Sequence, residues 1–209
     1  MVHDDEREMS RDRPEATTAH PPPYEIRRLD ASTWPDFVAL VERHNGVWGG
    51  CWCLGFHPEG LGHGAAQHRA LKERRVREGA AHAALVYEGE ACVGWCQFGP
   101  TAELPRIKSL RAYEQGLAEL PDWRITCFFV SRRHRGRGVA AAALDGALAE
   151  IARNGGGTVE SYPDLDEEVK LARGFGHNAT VAMFERRGFV RQRRIAKNRW
   201  VVVRRVEAV

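Results

Sequence analysis

The run Ile125-Thr-Cys-Phe-Phe-Val130-Ser-Arg-Arg133-His-Arg135-Gly136-Arg-Gly138, continuing as Val139-Ala-Ala-Ala-Ala-Leu144, constrains the fold more than any other segment. Its first six residues read as an apolar strand. Its last residues open an alanine-rich helix to about Arg153, with Ala140, Leu144, Leu148 and Ile151 at inward helical spacing. The link between them is short, basic and carries two glycines. A helix leaves its first N–H groups without acceptors, and its dipole adds partial positive charge at that end. Phosphate suits such a terminus. Glycine lets a ligand lie against the backbone, because no Cβ stands in the way. Arg133 and Arg135 add charge. The link reads as a diphosphate-binding turn.

A chain of 209 residues is long enough for one domain with a substantial core. The net charge of +3 gives little support to a nucleic-acid partner. No apolar run is long enough to cross a bilayer, so no membrane partner is expected. The polar N-terminus shows no signal-peptide core. Five cysteines, an odd number without an export signal, point to reduced thiols and a cytoplasmic protein.

Residues 1–23 are charged and end in three prolines, and read as a disordered tail. A single domain is expected over 24–209. Tyr24–Leu29 reads as a strand and Thr33–Arg43 as a helix with Ser32 or Thr33 as N-cap. Val47–Phe56 reads as a loop or irregular strand, and Ala65–Arg77 as a basic helix. His82–Tyr87 and Ala91–Phe98, joined through Glu88-Gly89-Glu90, give a hairpin signal ended by Gly99-Pro100. A proline-bounded insertion over Thr101–Trp123 carries one helix around Leu110–Leu117. Thr158–Tyr162 reads as a strand and Asn178–Arg187 as a short helix stopped by Gly188. Phe189–Arg194 and Arg199–Val206 read as a closing strand pair. This order predicts an α/β fold, a mixed and mostly antiparallel sheet flanked by helices.

Three readings compete for the glycine turn. Gly136-Arg-Gly138-Val-Ala-Ala141 fits a loose dinucleotide-binding pattern, with Glu160 at a ribose-contact distance. That fold needs its first glycine directly after the strand, whereas here Ser131 to Arg135 intervene. A lysine-bearing P-loop is excluded, since no Gly-Lys-Ser or Gly-Lys-Thr occurs. The second reading is an inert, solvated basic loop. The third is a resemblance. Arg133-His-Arg-Gly136-Arg-Gly138 resembles the R/Q-x-x-G-x-G/A signature of the GCN5-related N-acetyltransferases. Ala182-Met-Phe-Glu-Arg-Arg-Gly188-Phe189 is similar to that family's later helix and its Y-E-K-x-G-F ending. The two blocks stand in the family's order and spacing.

The resemblance implies a GNAT-like acyl-CoA N-acyltransferase fold, acetyl-coenzyme A as acyl donor, and direct attack by an amine of a small molecule or protein. It implies that the main chain of Arg135, Gly136, Arg137, Gly138, Val139 and Ala140 holds the pyrophosphate. Phe129 and Val130 would pair with the pantetheine arm, and one of their N–H groups would polarise the acetyl carbonyl. His177 or Asn178 falls where the family often places an asparagine on the coenzyme. The family's usual tyrosine acid is replaced by Phe184, which has no proton to give. Candidates for acid–base work are Glu103, Glu160 and Tyr162, with His134 on the turn. Loss of the tyrosine leaves open a coenzyme-A-binding sensor or inactive paralogue. A homodimer is compatible with all of this.

Cys51-Trp-Cys53 with His57 and His63 loosely fits a metal cluster, but zinc sites favour C-x-x-C pairs. A buried aromatic and thiol loop is the plainer reading, and no metal is expected. Cys127 on the strand reads as core. The arginines from Arg186 to Arg205 read mainly as a solvated face, with Trp200 alone for base stacking. Trp48, Trp52, Phe56, Trp95 and Trp123 suggest a partly apolar acceptor pocket.

Overall fold

The computed structural model describes residues 24–165 and 179–209. Seven strands form one sheet: β1 (Glu25–Arg28), β2 (His82–Glu88), β3 (Ala91–Pro100), β4 (Trp123–Val130), β5 (Gly157–Ser161), β6 (Val190–Ala196) and β7 (Arg199–Val206). Their spatial order is β1-β2-β3-β4-β5-β7-β6. Every neighbouring pair is antiparallel except β4 with β5, which are parallel. The expected mixed, mostly antiparallel sheet is what forms. The one parallel pair follows from the helix that connects it, since parallel strands need a crossover.

Among the described residues five α-helices accompany the sheet: α1 (Trp34–Arg43), α2 (Ala65–Arg77), α3 (Leu110–Glu114), α4 (Val139–Arg153) and α5 (Val181–Glu185). Helix α4 lies on one face over β2, β3 and β4. Its Val139, Ala143, Leu144, Ala147, Leu148 and Ile151 pack there against Ala84, Val86, Cys96, Ile125 and Phe128. Small side chains bring helix and sheet close. A Cβ at Gly146 would meet Ile26 Cγ2 at 2.5 Å. The opposite face is covered by α1, with Trp34, Phe37, Leu40 and Val41 packed on Leu85, Tyr87 and Trp95. A third cluster, with Phe56, Leu104, Tyr113, Tyr162 and Val201, closes the far end of that face.

Several expected bounds shift. Of the inward positions expected on α4, Leu144, Leu148 and Ile151 are buried and Ala140 is half-buried; Val139, Ala143 and Ala147 complete the face. Gly138 is the N-cap, not the first helical residue. Thr33 occupies the N-cap position of α1 but does not cap it. Its hydroxyl instead donates to Arg28 O (2.8 Å) and accepts from Asp30 N (2.9 Å), tying the helix start to β1. The insertion helix ends at Glu114, short of Leu117. Helix α5 is shorter than expected and is capped by Thr180, whose Oγ1 accepts from Met183 N. The expected tail, and the candidates His177 and Asn178, lie outside the described residues.

Candidate active site

The defining feature is a sheet that opens in its middle. Strands β4 and β5 pair only at Trp123–Val159, Arg124–Glu160 and Ile125–Ser161. Beyond Ile125, β4 runs on to Val130 while β5 has ended; Cys127 to Val130 pair with β3 alone, and Thr126 falls at a register shift. Ser161 Oγ donates to Ile125 O (2.8 Å) at the apex of this gap. Ser131 N–H donates to Val93 O (2.9 Å), toward β3. Backbone groups along a strand alternate in direction. The amides of Phe129 therefore face β3 as well, and those of Phe128 and Val130 face the gap.

The free edge leads into the basic turn. Arg132–His134 form a single 3-10 turn, and Gly136 and Gly138 adopt φ of 72° and 83°. That region is cheap for glycine only, and a Cβ at either position would meet nothing within 4 Å. The backbone is thus bare on its outer side. Among the described residues, the amides of Gly136, Arg137, Gly138, Val139, Ala140 and Ala141 have no backbone acceptor; Ala142 is the first to bond, to Gly138 O (3.0 Å). Six N–H groups at the start of a fifteen-residue helix have the geometry and partial charge that suit an anion. Arg132, Arg133 and Arg135 are exposed around it and pair with no carboxylate among the described residues. Arg137 and His134 both bind Glu88 (2.9 and 3.2 Å), and Tyr24 donates to Arg137 O (3.0 Å). These contacts fasten the turn to β1 and to the β2–β3 hairpin.

Phe184, in the later block, is fully buried. Its ring stands edge-on to Phe128 and Phe189 at 6.0 and 5.0 Å. It serves the packing of α5 against β4 and offers no polar group to the gap.

On the face opposite α4, Glu160 is 3% exposed. One of its oxygens accepts from both Tyr113 OH and Tyr162 OH, each at 2.8 Å, and Arg193 lies 3.8 Å from the other. Arg124 donates to Tyr113 OH and to Leu104 O. Burial raises the Tyr162 hydroxyl well above its usual range, with the Glu160 charge acting the same way. Glu160 and Tyr162 do share a face, as alternation requires. Glu103 is half-buried in the loop after β3, with His82 Nε2 at 3.3 Å.

Sequence reasoning overlooked a buried polar group packed on β3. Lys72 of α2 is 1% exposed. Its Nζ lies 2.7 Å from Gln97 Oε1 and 3.3 Å from His57 Nε2. His57 Nδ1 meets Glu103 O (3.1 Å), and Gln97 Nε2 meets Thr126 Oγ1 (3.1 Å). Burial, and then Lys72 itself, lower His57 to about 2; burial lowers Lys72 to about 8. A lysine among apolar positions of a basic helix carries no sequence mark that separates it from its exposed neighbours.

The Cys51-Trp-Cys53 loop folds inward through left-handed residues, Trp52 at φ 48° and Cys53 at φ 57°. Cys53 Sγ is 3.3 Å from Cys127 Sγ and accepts from Trp95 Nε1 (3.3 Å). Hydrogen bonding to Cys127 and burial raise the Cys53 thiol. His57 joins Lys72, while His63 stands near His68, so the histidines part from the thiols. Among the described residues no group of side chains is placed to hold a metal ion. Trp52, Phe56 and Trp95 are buried, and Trp123 donates to Gly156 O (2.9 Å). A shallow crevice lined by Phe56, Lys108, Tyr162 and Arg199 opens beside the end of β5. The later arginines are engaged locally, Arg187 with Asp145, Arg191 with Glu185 and Arg199 with Asp164. No described helix is long and apolar enough to cross a membrane.

A family model described as the acetyltransferase (GNAT) family matches residues 56–189. Solved structures share the fold at low identity. A protein assigned to the GNAT acetyltransferases from Desulfovibrio desulfuricans is 16% identical, with TM-score 0.50, covering 88% of this chain and 99% of its own. One described as histone acetyltransferase HPA2 and related acetyltransferase, from Corynebacterium glutamicum, is 15% identical, with TM-score 0.50, covering 89% and 97%. The acetyltransferase yncA from Salmonella typhimurium, solved with its cofactor acetyl-CoA, is 13% identical, with TM-score 0.51, covering 88% and 94%. No curated protein matches the sequence.

Proposed function

The chain belongs to the GNAT acetyltransferase family, whose acyl donor is acetyl-coenzyme A, and from that premise we propose that it transfers the acetyl group to an amine of a small molecule or protein by direct attack. One observation carries this reading: the unpaired edge of β4 runs straight into the uncapped amides of α4. That track fits a pantetheine arm laid as an added strand, with its pyrophosphate on the free amides from Gly136 to Ala141; the Arg135 amide, expected among the donors, already bonds Arg132 O (3.5 Å). The Phe128 and Val130 amides face the gap, which favours Val130 over Phe129 as a pantetheine partner. It also puts an oxyanion donor at the gap edge.

In this reading the acceptor approaches on the face opposite α4, where Phe56, Lys108, Tyr162 and Arg199 line a shallow crevice and Tyr162 directly follows the last β5 residue, Ser161. We assign proton removal from the attacking amine to Glu103, the candidate carboxylate with solvent access. In this reading Glu160 and Tyr162 hold the β5 end of the gap in shape, because that carboxylate is buried and one of its oxygens already accepts from two tyrosines. Five free thiols suit a reducing, cytoplasmic setting.

The second reading is a coenzyme-A-binding sensor, favoured by Phe184. Two measurements separate them. Calorimetry with acetyl-coenzyme A is expected to show binding, lost when Gly138→Val brings a branched side chain to the turn. Thiol release is then followed over a panel of amines and N-terminal peptides. Release with at least one acceptor supports transfer. Binding without release for every acceptor supports the sensor, and no binding at all removes both.

A further inference from the structure

We propose that the hydroxyl of Thr126 donates the hydrogen bond that the departing sulfur needs, and that Lys72 and Gln97 are the positioning residues that turn it outward. This rests on the acetyl-transfer reading above. Thr126 is the first β4 residue beyond the last β4–β5 pair, Ile125–Ser161. It is also the extra residue where the β3–β4 register shifts, Gln97 pairing with Cys127 and Phe98 with Ile125. A bulge at such a point re-aims a side chain. The same residue therefore marks both the apex of the gap and a break in its wall.

The hydrogen-bond polarity of the buried network is forced by chemistry. An ammonium only donates. Gln97 must then turn its oxygen to Lys72, and its amide NH2 faces Thr126 and donates to Oγ1. A backbone carbonyl only accepts, so the Glu103 carbonyl fixes the proton of His57 on Nδ1 and leaves Nε2 bare toward Lys72. Every donation runs outward from Lys72. The chain ends on a hydroxyl that has already accepted. Its own hydrogen has no acceptor among the described residues, on a buried side chain of the first β4 residue past the last β4–β5 pair. Lysine is almost never fully buried unless paired with an opposite charge, and the partners of Lys72 among the described residues are the neutral Gln97 and His57. Phe184, being fully buried and without a hydroxyl, leaves the sulfur without the family's usual donor.

In the step itself the amine nitrogen forms a bond to the acetyl carbon and the C–S bond breaks. The electron pair leaves on sulfur, stabilised by the Thr126 O–H. The nitrogen gives up its proton to the base, and the thiolate takes one from water. The proposal demands that Thr126 stabilise a bound thiolate more than a bound thiol.

The test uses Thr126→Val, which keeps shape and removes the hydroxyl, with Thr126→Ser and Lys72→Met. Thr126→Val is expected to lower kcat by about a hundredfold, the cost of one oxyanion donor, with acetyl-coenzyme A affinity unchanged. Thr126→Ser recovers most of that loss. The thiol of bound coenzyme A, titrated by its ultraviolet thiolate absorbance, is expected to lose protons at higher pH in Thr126→Val and Lys72→Met than in the parent. A purely structural role leaves that titration where it was. The proposal fails if the bound thiol titrates alike in parent and Thr126→Val. If the parent binds coenzyme A but acetylates no amine, the transfer reading fails instead, and the thiol titration still decides the hydrogen bond.

Discussion

Gly94 shows how a single missing side chain sets the geometry of the candidate site. A Cβ there would lie 2.7 Å from Phe129 O and 2.7 Å from Val139 Cγ1. One atom would press on the end of β4 and the first residue of α4 together, the two halves of the proposed coenzyme track. Neither neighbour gives way easily, since one is backbone and the other is buried in the core. Gly94→Ala is expected to cost about 1–3 kcal/mol, the usual penalty of overpacking, read from the urea midpoint. It is also expected to weaken acetyl-coenzyme A binding. Nothing in the hairpin pattern around Ala91–Phe98 marks Gly94 out, because its role is set by strands and a helix distant in sequence. Gly136 and Gly138 were legible for the opposite reason: their requirement is local, a left-handed turn at a helix start.

At the scale of elements, the β2–β3 hairpin supports the basic turn. Glu88 at the end of β2 holds both Arg137 and His134. Removing it frees the turn without opening the core, for these groups lie at the surface. Glu88→Ala is expected to weaken acetyl-coenzyme A binding by up to about fivefold, the scale of an exposed ion pair, with an unchanged thermal midpoint. Calorimetry and a thermal melt check the two halves of that statement. The strand–turn–helix unit, the hairpin and the closing strand pair were readable because each carries its own periodicity and turn residues. The gap between β4 and β5 was not. It depends on where β5 stops relative to β4, and no run of residues in either strand encodes the other's length.

The whole molecule carries a pH signature through its buried polar network. Burial lowers His57 to about 2, and the Lys72 and Arg75 charges act in the same direction. An unfolded histidine titrates near pH 6.5. The unfolded chain thus takes up a proton that the folded chain refuses. The stability tied to neutral His57 is complete above about pH 6.5 and declines as pH falls toward the folded value. Lys72, lowered to about 8 by burial, has the same sign in a higher window: stability rises from about pH 8 toward its unfolded value near 10.4. Urea midpoints are expected to drop between about pH 6.5 and 5. His57→Gln is expected to flatten that slope even where it lowers the midpoint itself. A slope identical in parent and variant would place the acid sensitivity elsewhere.

The order of elements, the glycine-bearing basic turn and the family were determined by the sequence alone, since alternation, helical spacing and glycine at a helix start act over neighbouring residues. Tertiary structure alone decided which groups join the buried polar network behind the gap. Thr126, Gln97, Lys72 and His57 come from a strand, its neighbour, a helix and a loop, and Phe184 is sealed between Phe128 and Phe189. Those contacts join residues far apart in the chain, and the burial that shifts His57 and Lys72 exists only once the helices have closed on the sheet.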